Sequence, residues 1–198
     1  MSKLILICFF LFLVSLGTSS VYAQTNQKYD ITVAGFSIGE MTANRFQKAD
    51  TTYYVLTSDV SFWFFGTIKL SYKTTSKYVG KQFISSQVIT NTNKDDFESN
   101  VYKQGNQYIV KAETYKYALD TVIKKQIVYS AARLYFDEPK LFKEMLAENY
   151  GLLSPITPHD GYYEVDVNGN QNKFYYEDGV MVRAVMESPI KNFVIKKK

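Results

Sequence analysis

The chain has 198 residues, with 23 Lys and Arg against 19 Asp and Glu and a formal charge of +4. A charge so mild, and scattered apart from the closing Lys196-Lys197-Lys198, speaks against a nucleic-acid partner, which needs a basic patch or stripe. The single cysteine, Cys8, falls inside an apolar run near the start, so the rest of the chain carries no disulfide, thiolate nucleophile or cysteine–metal site.

Residues 1–23 read as a secretory signal peptide rather than as fold. Lys3 precedes the apolar run 4–16, and the small-residue pattern Val21-Tyr22-Ala23 offers a cleavage site. The run is short of the roughly 20 apolar residues of a membrane anchor. Cys8 is too early, and too embedded in bulky residues, for a lipoprotein acylation site. Residues 24–198 are then expected to form a single β-rich domain without an integral membrane part. A chain of this size can rest on its hydrophobic core alone, since it buries roughly 70% of its unfolded surface.

In chain order, 24–28 is polar and reads as a loose start. Strands follow at 29–34 and 40–46, joined by Gly35-Phe36-Ser37-Ile38-Gly39 as a hairpin tip. The stretch 53–90 organises the rest. Tyr54, Leu56, Val60 and Phe62 alternate along one strand, and Ile68, Leu70, Tyr72 and Tyr78 along the next, with Lys69, Lys73 and Lys77 on the other face. Period-two alternation means one buried and one wet face. For the apolar sets to share a face, paired residue numbers must sum to an even number, and one compatible register pairs Phe62 with Ile68, Val60 with Leu70 and Ser58 with Tyr72. That register leaves Phe64-Phe65-Gly66 as a three-residue loop and sets Asp59 opposite Ser71.

The next strand, 83–90, offers two competing apolar faces, Phe83/Ile89 and Ile84/Val88. Strands are expected at 97–103 and 108–114, and at 121–129 after a turn at 115–120. The segment 137–150 (DEPKLFKEMLAENY) changes pattern. Leu141, Phe142, Met145 and Leu146 fit a helix stripe, Asp137 a cap, Pro139 the first turn and Gly151 the stop. Residues 152–161, with Pro155 and Pro158, read as an irregular crossing loop, and short strands close the chain at 162–167, 173–176, 180–188 and 192–196. The expectation is an all-β fold with one helix. It takes the form of a large curved antiparallel sheet or open half-barrel of about ten to eleven strands, the helix packed on one face. The lysine-lined face, the helix, the proline loop and the tri-lysine end weigh against a membrane-spanning barrel.

Little in the sequence carries chemistry. His159, the only histidine, lacks a second histidine or cysteine at ligand spacing and reads as a surface-loop residue. The acids Asp95-Asp96, Asp137-Glu138 and Glu144/Glu148 read as loop, cap and solvated helix face, not as a glycosidase pair. No nucleophile-elbow, zinc or phosphate-loop motif is present, so neither enzyme activity nor a cofactor is expected. The aromatic tip Phe62-Trp63-Phe64-Phe65 either folds onto a neighbouring surface or rims a binding site.

The stretch Tyr29-Asp30-Ile31-Thr32-Val33-Ala34-Gly35-Phe36-Ser37-Ile38-Gly39-Glu40 resembles the opening of uncharacterised secreted bacterial families of unknown function. Leu134-Tyr135-Phe136-Asp137-Glu138-Pro139 is similar to their second recurring segment. The resemblance implies a periplasmic or outer-envelope protein of a Gram-negative bacterium. More distantly, the expected architecture is similar to the lipoprotein-carrier half-barrel. The leading functional expectation is a non-catalytic envelope protein binding a lipid or amphipathic small molecule on the concave sheet face. Tyr54, Leu56, Val60, Phe62, Leu70 and Tyr72 would line that site, with Trp63 near its mouth. The alternative is an assembly factor that engages an envelope protein partner through the aromatic tip or the sheet edges.

Overall fold

The structure, a computed structural model, describes residues 24–63, 67–188 and 191–198. The expected leader, the loop Phe64-Phe65-Gly66 and the turn at Pro189 lie outside them. The chain opens with a meander of eight strands: β1 (Thr25–Val33), β2 (Phe36–Lys48), β3 (Thr51–Trp63), β4 (Thr67–Val79), β5 (Gln82–Thr92), β6 (Asp96–Gln104), β7 (Gln107–Thr114) and β8 (Tyr117–Ile123). A second meander closes it: β9 (Glu144–Ala147), β10 (Leu152–His159), β11 (Tyr162–Val167), β12 (Asn170–Glu177), β13 (Val180–Met186) and β14 (Phe193–Lys197). Antiparallel pairing of β1 with β14, through Tyr29–Lys197 and Ile31–Ile195, joins the two into one 14-stranded sheet. The sheet curls, and its inward side chains form the core.

Alternation explains the strands. Phe62 pairs with Ile68, Val60 with Leu70, Ser58 with Tyr72, and Asp59 with Ser71. A slip of one residue would turn every one of these apolar side chains to water. Inward positions from many strands meet as Tyr29, Ala43, Tyr78, Phe83, Val101, Val110 and Leu146, all fully buried.

The 14 strands exceed the expected ten to eleven, and several boundaries move. The polar start at Thr25 is already strand, because its ladder to β2 runs back to Arg45. The first hairpin turns at Ala34-Gly35, both with positive φ, and not over the whole 35–39 segment. Gly39 instead serves close approach, since a Cβ there would lie 2.1 Å from the Asp59 carbonyl oxygen. In β5 both competing faces are partly realised. A register shift opposite Lys77/Tyr78 puts Phe83 and Val88 inside together, although they are five residues apart. The strand expected at 121–129 begins earlier, at Tyr117, and the chain leaves the sheet after Ile123.

The helix expected at 137–150 does not form. After β8 the chain crosses the inside of the curl and makes a 3₁₀ turn, Ala131–Tyr135, which contacts β3, β4, β9 and β13. It then runs into β9. There Leu146 N–H donates to Tyr129 O at 2.9 Å, and Leu152 and Leu153 pair with Ala147 and Leu146. The 14 residues of the expected helix are near the length at which an isolated helix is marginal, so tertiary pairing decides. Met145, Leu146 and Ala147 are consecutive and all buried, because this strand is covered on both faces, while Leu141 of the expected stripe is 91% exposed.

The proline-bearing segment 152–161 is mostly strand as well. The first half of β10 pairs with β9 and the second half with β11. Each half therefore leaves one side without a ladder, where a proline lacking its N–H is tolerated.

Candidate functional site

Between the crossing segment and the inner face of the sheet lies a cavity of about 470 Å³. Its walls come from β1–β4 and β11–β14, and the 3₁₀ turn and β9 close one end with Ala132, Tyr135 and Met145. Those closing residues are buried, whereas Val33, Ile38, Phe62 and Ile68, toward the hairpin tips, are only partly so. The strand ends at Val33, Ile38, Phe62, Ile68, Asn170 and Met186 thus frame the mouth. Lys191 and Glu187 line that rim.

The cavity is not uniformly apolar. Halfway along β3 and β4 the inward positions change from Val60, Phe62, Ile68 and Leu70 to Ser58, Tyr72 and Thr74. Ser58 and Tyr72 are cross-strand partners, and Thr74 follows Tyr72 on the same face. The buried Thr74 hydroxyl completes no hydrogen bond of good geometry, although the Tyr72 hydroxyl lies beside it. Burial holds the Tyr72 phenol well above its ordinary value.

Glu148 stands at this inner end, fully buried. Its Oε1 accepts the Ser76 hydroxyl at 2.8 Å and the Ala132 N–H at 3.1 Å, and its Oε2 accepts the Ala131 N–H at 2.9 Å. The carboxylate thereby satisfies the open amides at the start of the 3₁₀ turn. Burial raises its pKa above the usual carboxylate range, against the hydrogen bonds, which favour the ionised form.

The nearby guanidinium of Arg133 is turned away from the cavity. It lies over the Tyr78 and Tyr129 rings, 5.3 and 4.9 Å from their centroids, and donates to Asp137 Oδ2 through Nε at 3.2 Å and Nη2 at 3.1 Å. Asp137 also accepts Arg45 Nη1 at 2.9 Å. The acid read as a helix cap is instead the hub of a part-buried ion cluster.

Five of the seven residues singled out from sequence line the cavity: Leu56, Val60, Phe62, Leu70 and Tyr72. Tyr54 is deeper, packed edge-on against Tyr78 and Phe136 rather than on the cavity wall. Trp63 is 77% exposed and, one residue on from Phe62, stands on the outer face of the sheet. Sequence reasoning missed Met41, which pairs with Ser58 from β2, and the walls supplied by Phe174, Phe193 and Ile195, which only the β1–β14 closure brings opposite β3 and β4. It also misread the buried Glu148 as part of a solvated helix face. His159 lies in β10, its ring stacked on Tyr162 at 4.7 Å. Among the described residues no group of three or more His, Cys, Asp or Glu is placed to hold a metal.

A family profile described as a domain of unknown function, DUF6134, matches residues 29–198. The chain belongs to the DUF6134 family. Among solved structures it is similar to a beta-barrel-like protein of domain of unknown function DUF1849 from Brucella abortus. The two share 13% identity over 87% of this chain and 94% of the other, with a TM-score of 0.53. At that identity the likeness shows the fold. No curated protein matches the chain. The DUF6134 chain is thus an all-β, curled single sheet of barrel-like form.

Proposed function

We propose that this DUF6134 protein is an exported, non-catalytic protein of the cell envelope that binds one apolar or amphipathic ligand inside its curled sheet. The observation that carries the reading is the cavity of about 470 Å³ walled by Leu56, Val60, Phe62, Leu70 and Phe193. Its volume falls in the roughly 300–1,000 Å³ range of small-molecule sites, and apolar walls with a few convergent polar groups are their usual lining. Export rests on Lys3, the apolar run 4–16 and the Ala23 site. Mass spectrometry of protein purified without detergent tests the proposal. Protein that carries a stoichiometric lipid, lost in a Leu70→Asp variant that still folds, supports it. Protein that comes off empty, and takes up no lipid or single-chain amphiphile on titration, overturns it.

A second reading has its own observation. Phe36 and Trp63, on neighbouring hairpins at the mouth end, are each 77% exposed. Phe36 pairs with the cavity-lining Val33 and Trp63 faces outward, so the two present aromatic surface on both sides of the rim. Such a rim suits an envelope protein partner.

A further inference from the structure

We infer that the cavity takes a single-chain amphiphile with an uncharged, hydroxyl-bearing head. The head lies inward at Ser58, Tyr72 and Thr74, and the chain runs out past Leu70 toward Phe62 and Ile68. The inference rests on the binding reading above and adds the class and orientation of the ligand.

The lining dictates the direction. On β3 and β4 the positions nearer the mouth, Val60, Phe62, Ile68 and Leu70, are apolar and the next ones in, Ser58, Tyr72 and Thr74, bear hydroxyls, with Ala132, Tyr135 and Met145 closing the end beyond them. A hydrocarbon tail at the inner end would cover the Ser58, Tyr72 and Thr74 hydroxyls without replacing their hydrogen bonds, which costs more than leaving them wet. A hydroxyl head both donates and accepts, and so completes the open Thr74 hydroxyl beside Tyr72.

Charge narrows the head. The inner end holds the Glu148 carboxyl, and among the described residues no cation lines it, because Arg133 is committed to Asp137. A carboxylate or phosphate head there would be desolvated without a partner and beside a like charge. An ammonium head fits no better, since Glu148 already accepts from Ser76, Ala131 and Ala132. An anionic amphiphile would have to lie the other way round, with its head at Lys191 on the rim.

The test compares monopalmitoylglycerol with palmitate at pH 8, below their aggregation limits, by calorimetry on the mature protein. The glyceride is expected to bind about tenfold or more tighter, the discrimination of one or two buried hydrogen bonds. Tyr72→Phe, checked for an unchanged far-ultraviolet spectrum, removes most of that preference by weakening the glyceride and not the fatty acid. A monoacylglycerol spin-labelled at the chain end should broaden amide resonances near Phe62 and Ile68 and spare Ala132 and Tyr135. Palmitate binding equally or more tightly, with a loss in Lys191→Gln, overturns the inference while leaving a binding protein. Label broadening at Ala132 does the same. If neither lipid binds, the binding reading itself falls.

Discussion

The Ser76 hydroxyl donates to the Glu148 carboxylate at 2.8 Å, joining β4 to the turn after β9 across the inside of the sheet. The same carboxylate holds the Ala131 and Ala132 amides, so one side chain ties wall, floor and crossing segment together. Glu148→Ala leaves two amides and a hydroxyl buried without an acceptor. The expected loss is about 3 kcal/mol or more in chemical denaturation, against about 1 kcal/mol for Glu148→Gln, which keeps a carbonyl oxygen.

Glu148 also sets a sign for the pH dependence. Burial lifts its folded pKa above the unfolded value of about 4.3, so between the two the folded state holds the extra proton. Stability is then lost as pH rises through that window. Denaturation of the native protein and of Glu148→Gln, measured from pH 4 to pH 8, should give a difference that grows in the variant's favour with pH. A difference that is flat or of opposite slope would contradict the burial argument.

The alternation of β3 and β4 separates three kinds of position. Leu56 is buried, Leu70 is a half-buried cavity wall, and Lys73 is on the outer face. Leu56→Asp should unfold the domain, since an unpaired buried charge costs several kcal/mol. Leu70→Asp should cost less, because its carboxylate reaches the cavity, and should abolish ligand uptake. Lys73→Asp should stay within about 0.5 kcal/mol of the parent. The ordering in urea denaturation is the check.

The difference between what was and was not legible is physical. Long strands with one wet face announce themselves, and parity narrowed the hairpin to even-sum registers, of which the pairing of Phe62 with Ile68 is the one that forms. Segments inside the curl have no wet face. Met145, Leu146 and Ala147 are buried on both sides, which in a short run looks like a helix stripe as much as a strand. Pro155 and Pro158 argued against a strand only because the switch of β10 from one partner to another cannot be seen in sequence. The cavity was half legible for the same reason: β3 and β4 supply their walls through local pairing, whereas Phe174, Phe193 and Glu148 arrive through contacts more than 70 residues apart.

Gly39 offers a separate test of strand packing. A Cβ at 2.1 Å from the Asp59 carbonyl oxygen requires β2 and β3 to part beside the Ile31/Thr32 bulge. Gly39→Ala should therefore cost about 1–3 kcal/mol. Gly80→Ala, in a turn with φ +57° but open space around it, should cost about 1 kcal/mol through backbone strain alone. Equal melting temperatures for the two variants would mean the close approach is not maintained in solution.

Trp63 distinguishes the two functional readings, because it is the only tryptophan and stands on the outer face of the rim. A ligand inside the curl meets Phe62 and Ile68 but not the indole, so its binding should leave the emission at its water-exposed wavelength. The same ligand at about 100 times its Kd adds about 2.7 kcal/mol to stability. For a domain of this length that is a rise of roughly 5–10 °C in melting temperature. A partner seated on the aromatic rim does the reverse to the indole: it excludes water from Trp63 and moves its emission to the blue. Titration with monopalmitoylglycerol should accordingly raise the melting temperature without a spectral shift. A blue shift with no gain in melting temperature would point to adsorption on the rim, and Phe36→Ser with Trp63→Ser should then abolish the interaction.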